Sequence, residues 1–126
     1  TPYIAKMVCE TVVGNLNAKP KKDFKDRRRE SYNFKKLSNE ERQKLIEMDK
    51  RYGTVLCPCN MITEGEIVDC IRRPLGARTL EGVQRRTGAT FGKCKGAYCL
   101  NKVVSILARE TNQQVTDIVK NSKKSK

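Results

Sequence analysis

The chain has 126 residues, of which 37% are hydrophobic and 33% charged, and it contains neither tryptophan nor histidine. This length suits one small domain with an extension, and so few apolar residues predict a thin core that a cofactor or partner surface would supplement. The absence of histidine excludes Cys–His catalytic pairs, Cys/His zinc sites and Rieske-type ligation. No stretch approaches the roughly 18 apolar residues that a membrane-spanning helix requires.

The net charge of +13 suggests nucleic-acid binding as one hypothesis. Many of the positive charges, however, fall in residues 19–29 and in the final NSKKSK. Such runs are typical of solvated linkers and tails. We therefore favour a basic linker at 15–37 and a disordered basic tail at 121–126 over a nucleic-acid interface.

The N-terminal residues predict a helix over 1–14, because Thr1 can cap it and Pro2 suits its first position. Apolar residues then recur at helical spacing until Gly14, namely Ile4, Met7, Val8 and Val12. Such a helix has little to pack against nearby, and the chain begins with Thr rather than Met. We therefore expect a piece of a longer protein, with this helix as the remnant of a preceding domain. Cys9 has no neighbouring thiol and is interpreted as a small apolar residue.

A lead-in helix is predicted for 38–51, where Ser38 and Glu41 form a capping box. The helix reaches about Lys50, and residues 54–56 are expected to be extended and to lead into Cys57. These residues would introduce the main domain, which we place at 52–120.

Further helices in 52–120 make the predicted fold class all-α. A second capping box, Thr63 and Glu66, opens a helix to about Arg73, and Thr79 caps a shorter one. A longer helix is predicted for 97–109, and a final turn or helix for 115–119. Cys70 falls on the apolar face of the first of these helices, so we interpret it as a core residue.

Four of the six cysteines form two tight pairs, Cys57 with Cys59 and Cys94 with Cys99. A disulfide framework is disfavoured, because these 126 residues show no apolar signal-peptide stretch and a bridge within C-x-C is strained. Paired cysteines without secretory context indicate a metal site. Iron–sulfur clusters and structural zinc both accept four thiolates, so the count leaves both open. The C-x-C and C-x4-C spacings differ from the paired C-x2-C knuckles of zinc ribbons.

The surroundings of the second pair suit a negatively charged cofactor. Cys99 is expected in the first turn of a helix, where free N–H groups favour thiolate. The loop 91–96 can turn its backbone amides toward sulfur. Seven basic residues lie in or beside the same module and are candidates to stabilise a reduced cluster: Arg72, Arg73, Arg78, Arg85, Arg86, Lys93 and Lys95.

A family resemblance covers about residues 52–111. Its motifs are Tyr52-Gly53 before CPCN, then ITEGEIVDCIRRPLGARTLEGVQRRTGATFGKCKGAYC and NKVVSILARE. This stretch resembles the [2Fe–2S] domain of the bacterioferritin-associated ferredoxin type. It is most similar to the version at the C-terminus of FAD-dependent dehydrogenases of the glycerol-3-phosphate dehydrogenase type. Residues 1–50 resemble the segment that follows the FAD domain in such enzymes. Pro58 and the charged loop KCKGAYC depart from the usual family residues without removing a ligand.

The resemblance implies a small, mostly helical, helix-turn-helix-like domain with an N-terminal helical and linker extension. It implies a [2Fe–2S] cluster held by Cys57, Cys59, Cys94 and Cys99. We expect this cluster to act as a one-electron relay that passes electrons onward, or to sense redox state. FAD would belong to the parent enzyme, and the partners would be its FAD domain and, as a further candidate, a redox subunit. We expect a cytoplasmic protein, with a membrane-peripheral parent left open.

No catalytic residue is assigned, because the chain has no G-x-G-x-x-G motif and no histidine base. We expect these residues alone not to catalyse the parent reaction. The alternatives are a structural four-cysteine zinc module for docking and, less favoured, a basic nucleic-acid-binding domain. Material made apart from the flavin domain is expected to be open to zinc loading or to metal loss.

Overall fold

The computed structural model describes residues 1–19, 21–24, 27 and 29–118. It divides the chain into two compact units, Thr1–Glu30 and Ser31–Lys126. The predicted tail at 121–126 lies outside the described residues, as do residues 119 and 120 and parts of the predicted linker. In the part of the chain that is described, no helix combines the length and apolar character needed to cross a bilayer.

The first unit contains α1, Pro2–Leu16, with proline in its first turn as the sequence predicts. The helix continues through Gly14 and ends at Asn17, which adopts the left-handed conformation (φ 47°) and donates its N–H to the Val13 carbonyl. A glycine inside a helix costs about 1 kcal/mol but does not have to end it. No residue of α1 is buried within the described structure.

The second unit begins with a 3-10 turn, Phe34–Lys36, followed by α2, Asn39–Met48, and a second 3-10 turn, Lys50–Gly53. The capping box of α2 is present, because the Ser38 hydroxyl accepts from the Glu41 N–H and the Glu41 carboxylate accepts from the Ser38 N–H. A small apolar cluster holds these segments together, formed by Phe34, Leu45 and Tyr52 with Leu37 and Ile46. A helix is present where the sequence predicts the lead-in helix, and it ends at Met48 rather than near Lys50.

A two-stranded antiparallel sheet follows, β1 at Val55–Cys57 and β2 at Ile62–Thr63. Val55 lies opposite Thr63 and Cys57 opposite Ile62, with an irregularity between these pairs. The extended segment before Cys57 was expected from the sequence, whereas β2 was not. Two residues are too short to produce a readable alternation of apolar and polar side chains.

Three longer helices form the rest of the unit: α3 at Glu64–Arg72, α4 at Leu80–Thr87 and α5 at Leu100–Thr111. Thr63 and Glu66 cap α3 reciprocally, and Thr79 caps α4 by accepting from the Gly82 N–H. Helical backbone resumes at residues 115–118, and its Ile118 is buried.

The main core lies where α3 packs against α4 and α5. Its fully buried side chains include Ile67 and Ile71 from α3, Val83 from α4, and Val103 and Leu107 from α5. The same cluster includes Cys57 and Cys99. The fold is thus mostly helical, as predicted, and the short β1–β2 pairing is an addition to the prediction. Two of the four paired cysteines, Cys57 and Cys99, are part of the core.

Candidate metal centre

The first cysteine pair lies at the end of β1. Cys57 is the last strand residue and is fully buried, because its partner strand and the helical core cover it. Cys59, two residues on, lies in the turn between the strands and is exposed. The C-x-C spacing therefore presents one inner and one outer thiol.

The second pair is carried by a run of tight turns rather than by the start of a helix. Lys95 donates its N–H to the Gly92 carbonyl, Ala97 to that of Cys94, and Cys99 to that of Gly96. Lys95 and Gly96 both have positive φ (50° and 87°), which a regular helix does not allow. The predicted helix start near residue 97 is therefore too early. α5 begins at Leu100, and Cys99 is its capping residue.

The turns bring the two pairs together. The Cys59 thiol hydrogen-bonds with that of Cys94, and the Cys57 thiol with that of Cys99. Cys94 and Cys99 also interact electrostatically, so all four thiols lie in one region. Among the residues that the structure describes, no three Cys, Asp or Glu side chains are grouped as ligands of one metal ion. The thiols approach each other across the two chain segments, as an inner and an outer pair.

Backbone amides surround the sulfur of Cys94. The N–H groups of Tyr98, Gly96 and Ala97 hydrogen-bond to it, together with the Cys59 thiol. These bonds, with that from Tyr98 the largest contribution, lower the pKa of Cys94 below the ordinary thiol value. The sequence predicts that these amides come from residues 91–96, whereas two of the three belong to Ala97 and Tyr98. All three favour a thiolate at Cys94.

The inner thiol of Cys99 lies in a different environment. Burial raises its pKa, and the neighbouring Cys57 thiol raises it further, whereas a hydrogen bond from the Thr90 backbone lowers it. A buried thiolate needs a compensating positive partner, because removing charge from water is costly. A metal bound at Cys99 would supply that compensation.

Gly92 allows the outer loop to approach the first pair closely. A Cβ built on Gly92 would overlap the Cβ of Cys59 and would lie 3.1 Å from its sulfur. Any side chain at position 92 would therefore displace Cys59 or the loop that carries Cys94.

The remaining cysteines lie apart from this site. Cys70 is buried on α3, where desolvation raises its pKa to about 11, so it is a core residue as predicted. Cys9 lies exposed on α1 in the other unit. The sequence-based interpretation of Cys9 as a small apolar residue stays a prediction, because the residue is exposed within the described structure.

Most of the arginines expected beside a cluster are in ion pairs with carboxylates. Arg72 contacts Glu110 (2.5 Å), Arg73 contacts Asp69 (3.4 Å) and Arg85 contacts Glu81 (2.6 Å). Lys93 and Lys95 lie exposed in the cysteine loop itself. These two lysines are the basic residues placed closest to the cysteines along the chain.

Two side-chain contacts near the site were not predicted from the sequence. Asn60 donates its side-chain N–H to the Gly88 carbonyl (2.7 Å), and Gln84 donates to the Thr90 hydroxyl (2.6 Å). The bond from Asn60 connects the turn that carries Cys59 to the end of α4. Neither has a sequence signature, because the first joins segments far apart in the chain and the second depends on an unusual backbone conformation at Thr90.

Together these features describe a small helical domain in which two pairs of thiols, Cys59 with Cys94 and Cys57 with Cys99, lie near each other. Residues 55–109 match the family model of the BFD-like [2Fe–2S] binding domain. The chain therefore carries a domain of this family, which confirms the resemblance drawn from the sequence.

Two curated relatives extend the comparison. The chain is 45% identical over 100 residues to glycerol 3-phosphate dehydrogenase of Caloramator mitchellensis, an alignment that covers 79% of this chain and 21% of the relative. It is 32% identical over 63 residues to hydrogen cyanide synthase subunit HcnB of Pseudomonas aeruginosa, covering 50% of this chain and 13% of that protein. The chain thus spans about a fifth or less of the length of these relatives. No solved structure matches it significantly.

Proposed function

We propose that residues 55–109 hold a [2Fe–2S] cluster through Cys57, Cys59, Cys94 and Cys99, and that the cluster relays single electrons within a larger flavoprotein oxidoreductase. The observation that carries this proposal is the meeting of four thiols from two chain segments, with backbone amides directed at one of them. Four cysteine thiolates are the usual ligand set of such a cluster.

The residues present fit the group. The donor set is all sulfur, the amides of Gly96, Ala97 and Tyr98 stabilise negative charge on Cys94, and Gly92 leaves room beside Cys59. A bound [2Fe–2S] cluster supplies a site that gains or loses one electron. The buried side chains of Cys57 and Cys99 keep water from the inner half of the site.

The outer half of the site is the proposed edge for electron exchange. Cys59 is exposed and Cys94 is half-buried, whereas the other two thiols are fully covered. Phe91 precedes the second pair and Tyr98 lies between its two cysteines, with 64% and 71% of their surface exposed. Lys93 and Lys95 add positive charge between them along the chain. An apolar, basic edge of this kind suits a partner surface with acidic groups.

The parent reaction that we propose is oxidation of a small hydroxy substrate, glycerol 3-phosphate, at FAD in a preceding domain. The name and the 45% identity of the Caloramator mitchellensis relative support this assignment. The partners in this proposal are the FAD domain of the same chain and a redox subunit as electron acceptor. We place the protein in the cytoplasm, where reducing conditions keep cysteine ligands available.

The test is anaerobic reconstitution of the chain with iron and sulfide, followed by visible absorption and metal analysis. We expect absorption that dithionite bleaches, with about two irons and two sulfides per chain. Cys59→Ser and Cys99→Ser should reduce this loading, whereas Cys70→Ser is the matched control in the core. A colourless protein with about one zinc after the same treatment would contradict the proposal and favour a structural zinc module.

A further inference from the structure

Thr90 has an unusual backbone conformation beside the second cysteine pair. Its φ is +71°, in the left-handed region that β-branched residues rarely adopt, and its side chain is 7% exposed. Such a conformation persists only where surrounding contacts hold it. The contacts around Thr90 therefore indicate what the strained conformation is used for.

The first contact comes from α4. Gln84 donates its side-chain N–H to the Thr90 hydroxyl at 2.6 Å. Its neighbour Val83 is fully buried in the core, and α4 is capped at both ends by Thr79 and Gly88. The donor is therefore mounted on a helix whose position is fixed by packing.

The second contact comes from the turn that carries the cysteines. A Cβ built on Gly96 would lie 3.2 Å from the Cβ of Thr90, so the missing side chain lets the turn pack closely against Thr90. The backbone N–H of Thr90 donates a hydrogen bond to the sulfur of Cys99. The residue is thus held between Gln84 and Gly96 while its backbone contacts the inner thiol.

We propose that Gln84 is a positioning residue: through the Thr90 hydroxyl it holds the Thr90 N–H on the sulfur of Cys99 and raises the reduction potential of the bound cluster. Hydrogen bonds to ligand sulfurs are among the features that set cluster potentials. Reduction adds negative charge to the cluster and its sulfurs, so an N–H directed at sulfur stabilises the reduced form more than the oxidised form. This inference rests on the proposed function, because it requires a cluster at Cys99.

The test compares the reduction potentials of variants of the 126-residue chain after anaerobic reconstitution. Gln84→Met keeps the length of the side chain but removes its donor, and Thr90→Val keeps the branched shape but removes the hydroxyl. We expect each to lower the midpoint potential by at least the equivalent of a threefold change in the reduction equilibrium. A threefold change corresponds to about 28 mV, because a tenfold change in the equilibrium constant of a one-electron reduction corresponds to 59 mV. Thr90→Ser retains the hydroxyl and should remain close to wild type.

Two further measurements make the assignment specific. Gln43→Met, on the exposed face of α2 where the Gln43 side chain hydrogen-bonds to Glu47, should leave the potential unchanged. The double variant Gln84→Met/Thr90→Val should shift the potential no further than either single change, since both remove one interaction. Additive shifts would contradict a common path through the Thr90 hydroxyl.

The outcomes separate this inference from the function on which it rests. A wild-type chain that takes up no iron and sulfide would overturn both. A cluster-loaded Gln84→Met with the wild-type potential would overturn only the role of Gln84. If Gln84→Met fails to fold, as judged by circular dichroism, Thr90→Val provides the same measurement. An unchanged potential there overturns the inference equally.

Discussion

The backbone of Gly92 lies directly against the side chain of Cys59. A Cβ on Gly92 would overlap the Cβ of Cys59. The two residues belong to different cysteine-bearing segments, so their approach sets how closely the two pairs can lie. The requirement for glycine at this position arises from close packing rather than from a positive φ angle.

Gly92→Ala should weaken cluster binding, because the added methyl group must push Cys59 or the second turn outward. Changes that disturb ligand orientation commonly cost 10-fold to 100-fold in metal affinity, so we expect at least about a tenfold loss. Competition with an iron chelator measures it. Gly14→Ala is the matched control, because nothing lies within 4 Å of a Cβ there. Equal chelator resistance of the two variants would contradict the proposed contact.

The helices that the sequence predicted well are those with local start signals. The capping boxes at Ser38 and Glu41 and at Thr63 and Glu66 both form, and α2 and α3 begin where they indicate. Capping depends on residues within one turn, so it can be read directly from the sequence. The start of α5 was placed too early, because positive φ angles at Lys95 and Gly96 extend the preceding turns to Cys99.

The candidate site was only partly readable. The four cysteines follow from their spacing and from the family resemblance, and whether they bind a cluster stays a prediction. The division into inner and outer thiols depends on how β1 and the turns pack on the core. The bond from Gln84 to Thr90 depends on a backbone conformation that threonine disfavours, so no propensity argument would propose it. Such features arise from tertiary packing that overrides local preference.

Glu66 should contribute more to the free energy of unfolding than Glu41, which occupies the same position in the capping box of α2. One of its oxygens accepts from the N–H and hydroxyl of Thr63, and the other accepts from the Phe34 N–H (3.2 Å). Glutamine has a single acceptor oxygen, so Glu66→Gln must lose part of this set, at a cost of about 1–2 kcal/mol. Urea unfolding of the variant measures the change in free energy.

Glu41→Gln is the control for this comparison, because Glu41 occupies the same capping position but is exposed and accepts from the Ser38 N–H. We expect a smaller loss of stability for it than for Glu66→Gln. If both variants unfold at the same urea concentration, the bond to Phe34 contributes nothing beyond the capping box.

Glu110 should make stability depend on acid pH. Its carboxylate, 6% exposed, accepts from Arg72 (2.5 Å) and contacts Arg109 (3.1 Å). The bond from Arg72 is the largest cause that lowers the pKa of Glu110 below its ordinary value of 4.5. The stabilisation is therefore fully present above about pH 4.5 and is lost as the pH falls through the lower folded-state value.

Glu110→Gln should remove this part of the pH dependence and cost about 1 kcal/mol at neutral pH, since both guanidinium groups are largely exposed to solvent. Thermal unfolding between pH 3 and pH 7 measures both effects. Arg72→Met should reduce the acid loss in the same direction by removing the main cause of the shift. A wild-type slope in the Glu110→Gln variant would assign the acid dependence to other carboxylates.

Lys93 and Lys95 should control how charged molecules exchange electrons with the cluster, because they lie exposed in the loop that carries Cys94. Reversing both charges in Lys93→Glu/Lys95→Glu should slow oxidation of the reduced protein by ferricyanide, an anion. It should speed oxidation by a cationic cobalt hexaammine complex. Stopped-flow measurement at low salt should reveal changes of about tenfold that diminish as ionic strength increases. Lys44→Glu, an exposed change on α2, should leave both rates near wild type. Equal slowing with both oxidants would show that the substitutions act through structure, and unchanged rates would place the site of electron exchange away from this loop.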